Sequence, residues 1–174
     1  MHNINHYYDT ETTRQVISVV VMNEHNVLSR IVGLFSARGY NIDSLTVAPM
    51  EGSKYSRMTI VTTGDKRVID QIVKQLNKLI PVLRVNEHRN VVEKDTVLMK
   101  FSIENNLSDI DVIARAYHGS IQNVTDEAII VSATDSSFRI MNFIKVMQKF
   151  NPLEVVRSGI VAMETSLTSE THVE

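Results

Sequence analysis

The 174-residue sequence contains no cysteine or tryptophan, and it has only six glycines and three prolines. Without cysteine, the chain cannot form disulfides, thiolate zinc sites or cysteine nucleophiles. The glycines are scattered and form neither GxGxxG nor GxxxxGK[ST], so nucleotide-binding loops of those types are not predicted. These absences remove several common cofactor and nucleophile sites before any strand or helix is assigned.

Excess charge of one sign and long apolar runs are also missing. The 18 basic and 20 acidic residues nearly cancel, so no strong field would draw the chain to nucleic acid or to an anionic membrane. No apolar run approaches the roughly 18 residues of a membrane span, and residues 1–14 lack the hydrophobic core of a signal peptide. We therefore predict a cytoplasmic protein that has neither nucleic acid nor membrane as a partner.

The titratable side chains do not form a pattern that predicts a catalytic or metal site. His2 and His6 have H-x-x-x-H spacing, but they lie in a polar segment without a helical stripe to present them, which favours surface histidines. Asp109 and Asp111 stand where a helix is expected to begin, so capping and compensation of the helix dipole explain them better than acid–base catalysis. We assign no catalytic and no metal-binding residue.

The first half of the chain follows the order βαββαβ. Strands are predicted from β-branched runs, and helices from apolar residues at helical spacing. The predicted elements are strand 16–22, a helix from 27 to a stop at Gly39, strands 42–48 and 57–62, a helix from a cap at Asp65 to Pro81, and strand 82–85.

The second half repeats this order. The predicted elements are strand 97–103, a helix capped by Ser108 or Asp109 and stopped at Gly119, strands 121–125 and 128–133, a helix to Pro152, and strand 153–157. Both halves end as helix, proline and a short strand that carries arginine. We predict an α+β protein of two ferredoxin-like βαββαβ domains. An alternative is that any α+β chain can be divided in this way.

The domain boundaries follow from this repeat and from composition. We predict flexible tails at residues 1–14 and 165–174, domains at 15–90 and 91–164, and the charged stretch 86–95 as the linker between them. Residues 1–90 hold 11 basic and 8 acidic residues, a net charge of +3, whereas residues 91–174 hold 7 and 12, a net charge of −5. This asymmetry is typical of two units with different surfaces, and ordinary scatter of solvated charges is the alternative.

The loop 23–26 between the first strand and the first helix is the best candidate for ligand binding. Unpaired amide N–H groups at a helix start attract a carboxylate. Asn23 and Asn41 could hold the carboxylate and ammonium of an amino acid, while Leu28 and Ile42 face an aliphatic side chain. On chemistry alone, these asparagines also fit ordinary loop, cap and turn roles.

At these residues the chain resembles the family of small regulatory subunits of acetolactate synthase (acetohydroxyacid synthase), whose first domain is of the ACT type. The similarity covers most of residues 15–90 and is looser in the second half, where it is carried chiefly by Val156–Gly159. The matching segments of the first half are Asn23–Glu24, Leu28–Arg30, Gly33–Ser36, Arg38–Ile42, Ser44–Ala48, Ser56–Ile60 and Leu83–Val85.

The resemblance implies a homodimer in which valine, a branched-chain amino acid, lies between two ACT domains. One wall of the effector site would contain Asn23, Asn26, Val27 and Leu28, and the other Asn41 and Ile42. It also implies a separate acetolactate synthase catalytic subunit that carries thiamine diphosphate, magnesium and usually flavin. This chain would hold no cofactor, would activate that subunit and would transmit feedback inhibition in branched-chain amino acid biosynthesis.

One position departs from the family pattern, which usually has glycine where this chain has Asn26. Glycine would permit positive φ there, and asparagine is the next most tolerant residue in the left-handed region. The alternative to the regulatory subunit is a free-standing ACT-type amino-acid sensor that controls transcription or another enzyme. Such a sensor would need a basic helix-turn-helix or an aromatic sheet face, which the sequence does not show.

Overall fold

The structure is a computed structural model that describes residues 12–165. The chain divides between Arg89 and Asn90 into two compact units, which are described separately. Among residues 12–165 there is no helix with the length and apolar character needed to cross a membrane.

The first unit is a four-stranded antiparallel sheet with two helices. Its elements are β1 (Thr12–Met22), α1 (Val27–Ser36), β2 (Ser44–Pro49), β3 (Tyr55–Asp65), α2 (Lys66–Leu76) and β4 (Val82–His88). The strand order is β2-β3-β1-β4, which is the predicted βαββαβ arrangement. Alternate residues of β1 and β3 point towards the helices, as the period of a strand requires.

The core of this unit lies between the sheet and the helices. Ile17 and Val19 of β1 are fully buried against Ile31 of α1 and Ile72 of α2, because apolar residues recur every two positions in the strand and every three or four in the helices. The predicted cap is confirmed, since the Asp65 carboxylate accepts a hydrogen bond of 2.7 Å from the backbone N–H of Arg67.

Two boundaries of the first unit differ from the sequence prediction. β1 begins at Thr12, within the segment 1–14 that was predicted as a tail, because Thr12–Arg14 pair with the end of β3 although they are polar. Residues 1–11 lie outside the described residues. The predicted linker 86–95 is wrong: β4 runs to His88 and the next strand begins at Val91, since backbone pairing needs no apolar side chains.

The second unit repeats the first and adds one strand. Its elements are β5 (Val91–Ser102), α3 (Leu107–Ala116), β6 (Gly119–Val124), β7 (Ala128–Asp135), α4 (Ser137–Met147), a 3₁₀ turn (Gln148–Phe150), β8 (Glu154–Arg157) and β9 (Val161–Glu164). The order is β6-β7-β5-β8, and β9, which the sequence analysis missed, pairs with the first part of β5. Of the predicted tail 165–174, only Thr165 is described.

Two helix ends in this unit also differ from prediction. The cap of α3 is Asn106 rather than Ser108 or Asp109, because its side-chain oxygen accepts hydrogen bonds from both of their backbone N–H groups. After α3, the left-handed residue is His118, with φ of 58°, and not Gly119, which is the first residue of β6. Histidine in this conformation is uncommon, and its side chain is engaged with Asp135.

Two cationic side chains and His118 surround the buried carboxylate of Asp135 at the end of β7. Lys94 Nζ lies 2.8 Å and Arg139 Nε 2.6 Å from its oxygens, and His118 Nδ1 lies 3.1 Å away. The hydrogen bond from Lys94, and then the backbone N–H of Ser136, hold the pKa of Asp135 well below its usual range, although burial opposes this shift. These contacts join β5, β7 and α4.

Replacing Asp135 with asparagine is expected to lower the free energy of unfolding by about 2–3 kcal/mol at neutral pH, since Lys94 and Arg139 lose their shared carboxylate and His118 loses a hydrogen-bond partner. A lowered pKa in the folded state stabilises it fully above the unfolded value of about 3.9, and the contribution is lost as the pH falls towards the folded pKa. Urea unfolding of both proteins as a function of pH should therefore show their difference shrinking below about pH 4. A constant difference would contradict the assignment.

Candidate effector-binding site

The loop between β1 and α1 is held at one end of the first unit's sheet. The backbone N–H of Met22 donates to Pro81 O at 2.8 Å, and that of Asn23 donates to Lys54 O at 3.0 Å. The side chains of residues 23–26 are exposed. The loop therefore has an anchored backbone and polar side chains that a ligand can reach.

Asn26 has the left-handed conformation, with φ of 68° and ψ of 0°, as the comparison with glycine predicted. It directly precedes α1, but its side chain makes no capping hydrogen bond, and the first turn of the helix has no acidic residue. A helix start without a side-chain cap presents N–H groups and the positive end of the helix dipole. This end of α1 suits a carboxylate.

Val27 and Leu28 have different positions in this loop. Val27 is only 5% exposed and belongs to the core of the unit, whereas Leu28 is 43% exposed. Of these two side chains, Leu28 is the one that can contact a bound aliphatic group. Val27 instead fixes the first turn of α1 to the sheet.

Asn41 and Ile42 precede β2 and are held by residues that the sequence analysis missed. The Asn41 side-chain amide donates to Asp43 Oδ1 at 3.0 Å, and the backbone carbonyl of Asn41 accepts from Thr62 Oγ1 at 2.7 Å. Asp43 also accepts from Thr63 Oγ1 at 2.7 Å. Ile42 is partly buried against the core. The adjacent threonines on β3 were read only as strand formers, so their positioning role had no separate sequence signal.

Within one chain, the two walls of the predicted site lie at opposite ends of the sheet. Asn23 follows Met22 at the end of β1. The backbone N–H of Asp43, next to Ile42, donates to Val61 O, and Val61 pairs with Val16 in the first half of β1. From Val16 to Met22 the strand rises about 20 Å, at about 3.3 Å per residue. One copy of this unit therefore does not bring all six predicted residues together.

Other chemistry is not evident in the part of the chain that the structure describes. Residues 12–165 contain no group of three or more His, Asp or Glu side chains placed to hold a metal ion. Asp135, with its strongly lowered pKa, is enclosed by Lys94, Arg139 and His118 and remains ionised as a structural group. The loop before α1 and the residues before β2 remain the candidate site.

Each of the two units matches a model of a known protein family. Residues 17–84 match the model of the acetohydroxyacid synthase (AHAS) small subunit-like ACT domain, and residues 94–166 match that of the small subunit of acetolactate synthase. The acetolactate synthase small subunit of Buchnera aphidicola subsp. Schizaphis graminum is 39% identical over 157 residues, which cover 86% of this chain and 98% of that protein.

Two further relatives extend the match. The acetolactate synthase isozyme 3 small subunit of Escherichia coli K12 is 40% identical over 154 residues, covering 86% of this chain and 94% of that protein. The crystal structure of the small subunit from Thermotoga maritima superposes with a TM-score of 0.83 at 31% identity, covering 90% of this chain and 99% of that one. Since family models and relatives agree over both units, the chain belongs to the acetolactate synthase small-subunit family.

Proposed function

We propose that this chain is a regulatory subunit that activates an acetolactate synthase catalytic subunit and makes it sensitive to feedback inhibition by a branched-chain amino acid, foremost valine. Membership of the small-subunit family supports the regulatory role. The observation that carries the effector proposal is the separation of the two candidate walls within one sheet, because it calls for a second copy of the chain.

Strand β2 provides a way to bring the walls together. It is the edge strand of its sheet, and Val47 on it is 49% exposed. Its last residue, Pro49, pairs with Ser56, which also pairs with Val21 near the end of β1. The end of β2 is thus at the same end of the sheet as the loop that contains Asn23.

If two copies of β2 pair antiparallel about a two-fold axis, the start of the partner's strand lies beside the end of this one. Asn41 and Ile42 of the partner subunit then come to the same end of the sheet as the loop before α1. The homodimer would hold two equivalent sites, each completed by residues from both chains. Pairing the edges would also cover two edge strands, which proteins otherwise have to protect.

Each part of an amino acid has a suitable neighbour in such a site. The start of α1 and Asn23 would hold the carboxylate, and Asn41 with Asp43 of the partner subunit would receive the ammonium group. Leu28 and Ile42 would contact the aliphatic side chain. One methylene contributes only about 0.8 kcal/mol, so discrimination between valine, leucine and isoleucine would depend on the size of this apolar space.

The catalytic chemistry would belong to the partner. Thiamine diphosphate, magnesium and flavin are proposed for the catalytic subunit, and this chain would change the balance between its more and less active states. A coupling free energy of about 1–3 kcal/mol between the effector site and the partner would be sufficient. The effector must therefore bind the two states with different affinities.

The test is acetolactate formation by the catalytic subunit from the same source, with and without this chain, across a valine titration. We expect activation by the chain and inhibition by valine only when the chain is present. Activation without inhibition by any branched-chain amino acid would contradict the effector site but keep the subunit assignment. No effect on the catalytic subunit would contradict both and favour a free-standing sensor.

A further inference from the structure

The helices of the second unit expose large apolar side chains on the side opposite to the core. Phe138 and Met141 on α4 are 70% and 56% exposed, and Val112 on α3 is 67% exposed. Positions 138, 141 and 145 lie on one side of α4, because residues three and four apart are neighbours on a helix. Isolated exposed apolar residues are ordinary, but neighbouring ones on one helix layer indicate a contact surface.

The two helices carry opposite charge on this surface. Residues 137–150 include three basic residues and no acidic one. Arg139 is engaged with Asp135, whereas Lys145 has no ion-pair partner among the described residues. On α3, Asp111 pairs with Arg115 at 2.9 Å, and the exposed Asp109 has no ion pair in the described part of the chain. Among the described residues, α3 therefore offers an acidic side chain without an ion pair, and α4 offers a basic one.

A direct contact fixes the position of α3 relative to α4 along the helix axes. Arg139 Nη2 donates to Ala116 O at 3.1 Å, so the end of α3 is level with the start of α4. The helices run antiparallel, because each follows one of two antiparallel strands, β5 and β7. Counted back along α3 from Ala116 at about 1.5 Å per residue, Val112 lies about 6 Å away and Asp109 about 10 Å away. Asp109 is then level with the turn between Lys145 and Lys149.

We propose that a second copy of this chain docks against this surface, with α3 of each copy lying over α4 of the other. A two-fold axis parallel to the helices gives this arrangement and preserves the levels along them. Asp109 then meets Lys145 and Lys149 of the partner subunit, Val112 lies beside Met141, and the small Ala116 leaves room for Phe138. The other two-fold axis, across the helices, places α4 on α4 and brings basic residues together, which is unfavourable.

This contact is small and therefore weak by itself. Two helices of 10 and 11 residues cover about 15 by 20 Å. The total buried surface is then about 600 Å², below the roughly 1,200–2,000 Å² of stable interfaces. The expected result is association that depends on concentration. Together with the homodimer proposed above, this second two-fold contact would link dimers into larger assemblies.

Sedimentation velocity of the full chain over a wide concentration series tests the proposal. We expect the mass of the smaller species at least to double as concentration rises, whether that species is a homodimer or, if the β2 contact fails, a monomer. Met141→Glu should weaken this association at least tenfold. Asp109→Lys should weaken it similarly, and the combined change Asp109→Lys with Lys145→Asp should restore much of it, because the pair of charges is exchanged.

Val124→Glu is the matched control, since Val124 is 55% exposed but lies on β6, outside the helix layer. It should leave the association unchanged, and circular dichroism should confirm that every variant is folded. The proposal is overturned if the wild-type mass does not double, if the control weakens association as much as Met141→Glu, or if the exchanged charge pair does not recover. If the wild-type chain associates from a monomer and Met141→Glu abolishes that association, the homodimer is refuted and the helix contact is supported.

Discussion

The Asn41→Ala variant is expected to need about 10- to 100-fold more valine for half-inhibition of the reconstituted enzyme, while activation at zero valine stays near the wild-type level. Removing a hydrogen bond to a charged group costs about 1.5–3 kcal/mol, which corresponds to this range. Asn41 is exposed, and among residues 12–165 its side chain bonds only Asp43, so the fold should tolerate the change. The measurement is the rate of acetolactate formation against valine concentration.

Asn123→Ala is the control for this experiment. Asn123 is an exposed asparagine on β6 of the second unit, outside the candidate effector site. Its replacement should change neither activation nor the valine response. If Asn41→Ala reduced activation as strongly as inhibition, separate surfaces for the effector and the catalytic subunit would be refuted.

Replacing Gly119 with alanine is expected to destabilise the second unit by about 2–3 kcal/mol, the cost of overpacking a tight position. A Cβ at Gly119 would lie 2.5 Å from Ser132 O, 3.0 Å from Ala114 O and 3.1 Å from Ala133 Cβ. Two of these are backbone atoms of β7 and α3, which cannot move without disturbing the sheet or the helix. In thermal unfolding, the midpoint temperature of this unit should be lower than in the wild type by roughly 10–20 °C.

Gly33→Ala offers a matched control, because nothing lies within 4 Å of the added Cβ and the residue is exposed within α1. Alanine reduces the conformational freedom of the unfolded chain and favours the helix, so this variant should be more stable by about 0.5–1 kcal/mol. A Gly119→Ala protein that unfolds at the wild-type temperature would show that β6 can move away from β7 at little cost.

The repeated βαββαβ order could be read from the sequence because it depends on local periodicity. Strand β3 alternates apolar residues and α2 places them at helical spacing, so both elements follow from which face must be buried. The ends of elements were less predictable. Strands β1 and β5 extend into polar residues, since a partner strand stabilises backbone groups whatever the side chains are.

For the candidate site, the sequence indicated the asparagines and the left-handed residue Asn26, and family resemblance supplied the second chain. It did not indicate Asp43, Thr62 and Thr63 as the residues that hold Asn41, because these contacts join positions about 20 residues apart in the chain. The same applies to the left-handed His118, whose conformation accompanies a contact with Asp135 on a different strand.

The sequence by itself therefore determined the class of fold, the duplication and the family, because apolar periodicity and short motifs are local properties of the chain. Only the tertiary structure decided that the two walls of the candidate effector site stand at opposite ends of one sheet, and that the outer faces of α3 and α4 carry complementary charge at matching positions along the helices. Strand order and helix level are set by packing between distant segments, which no local pattern specifies.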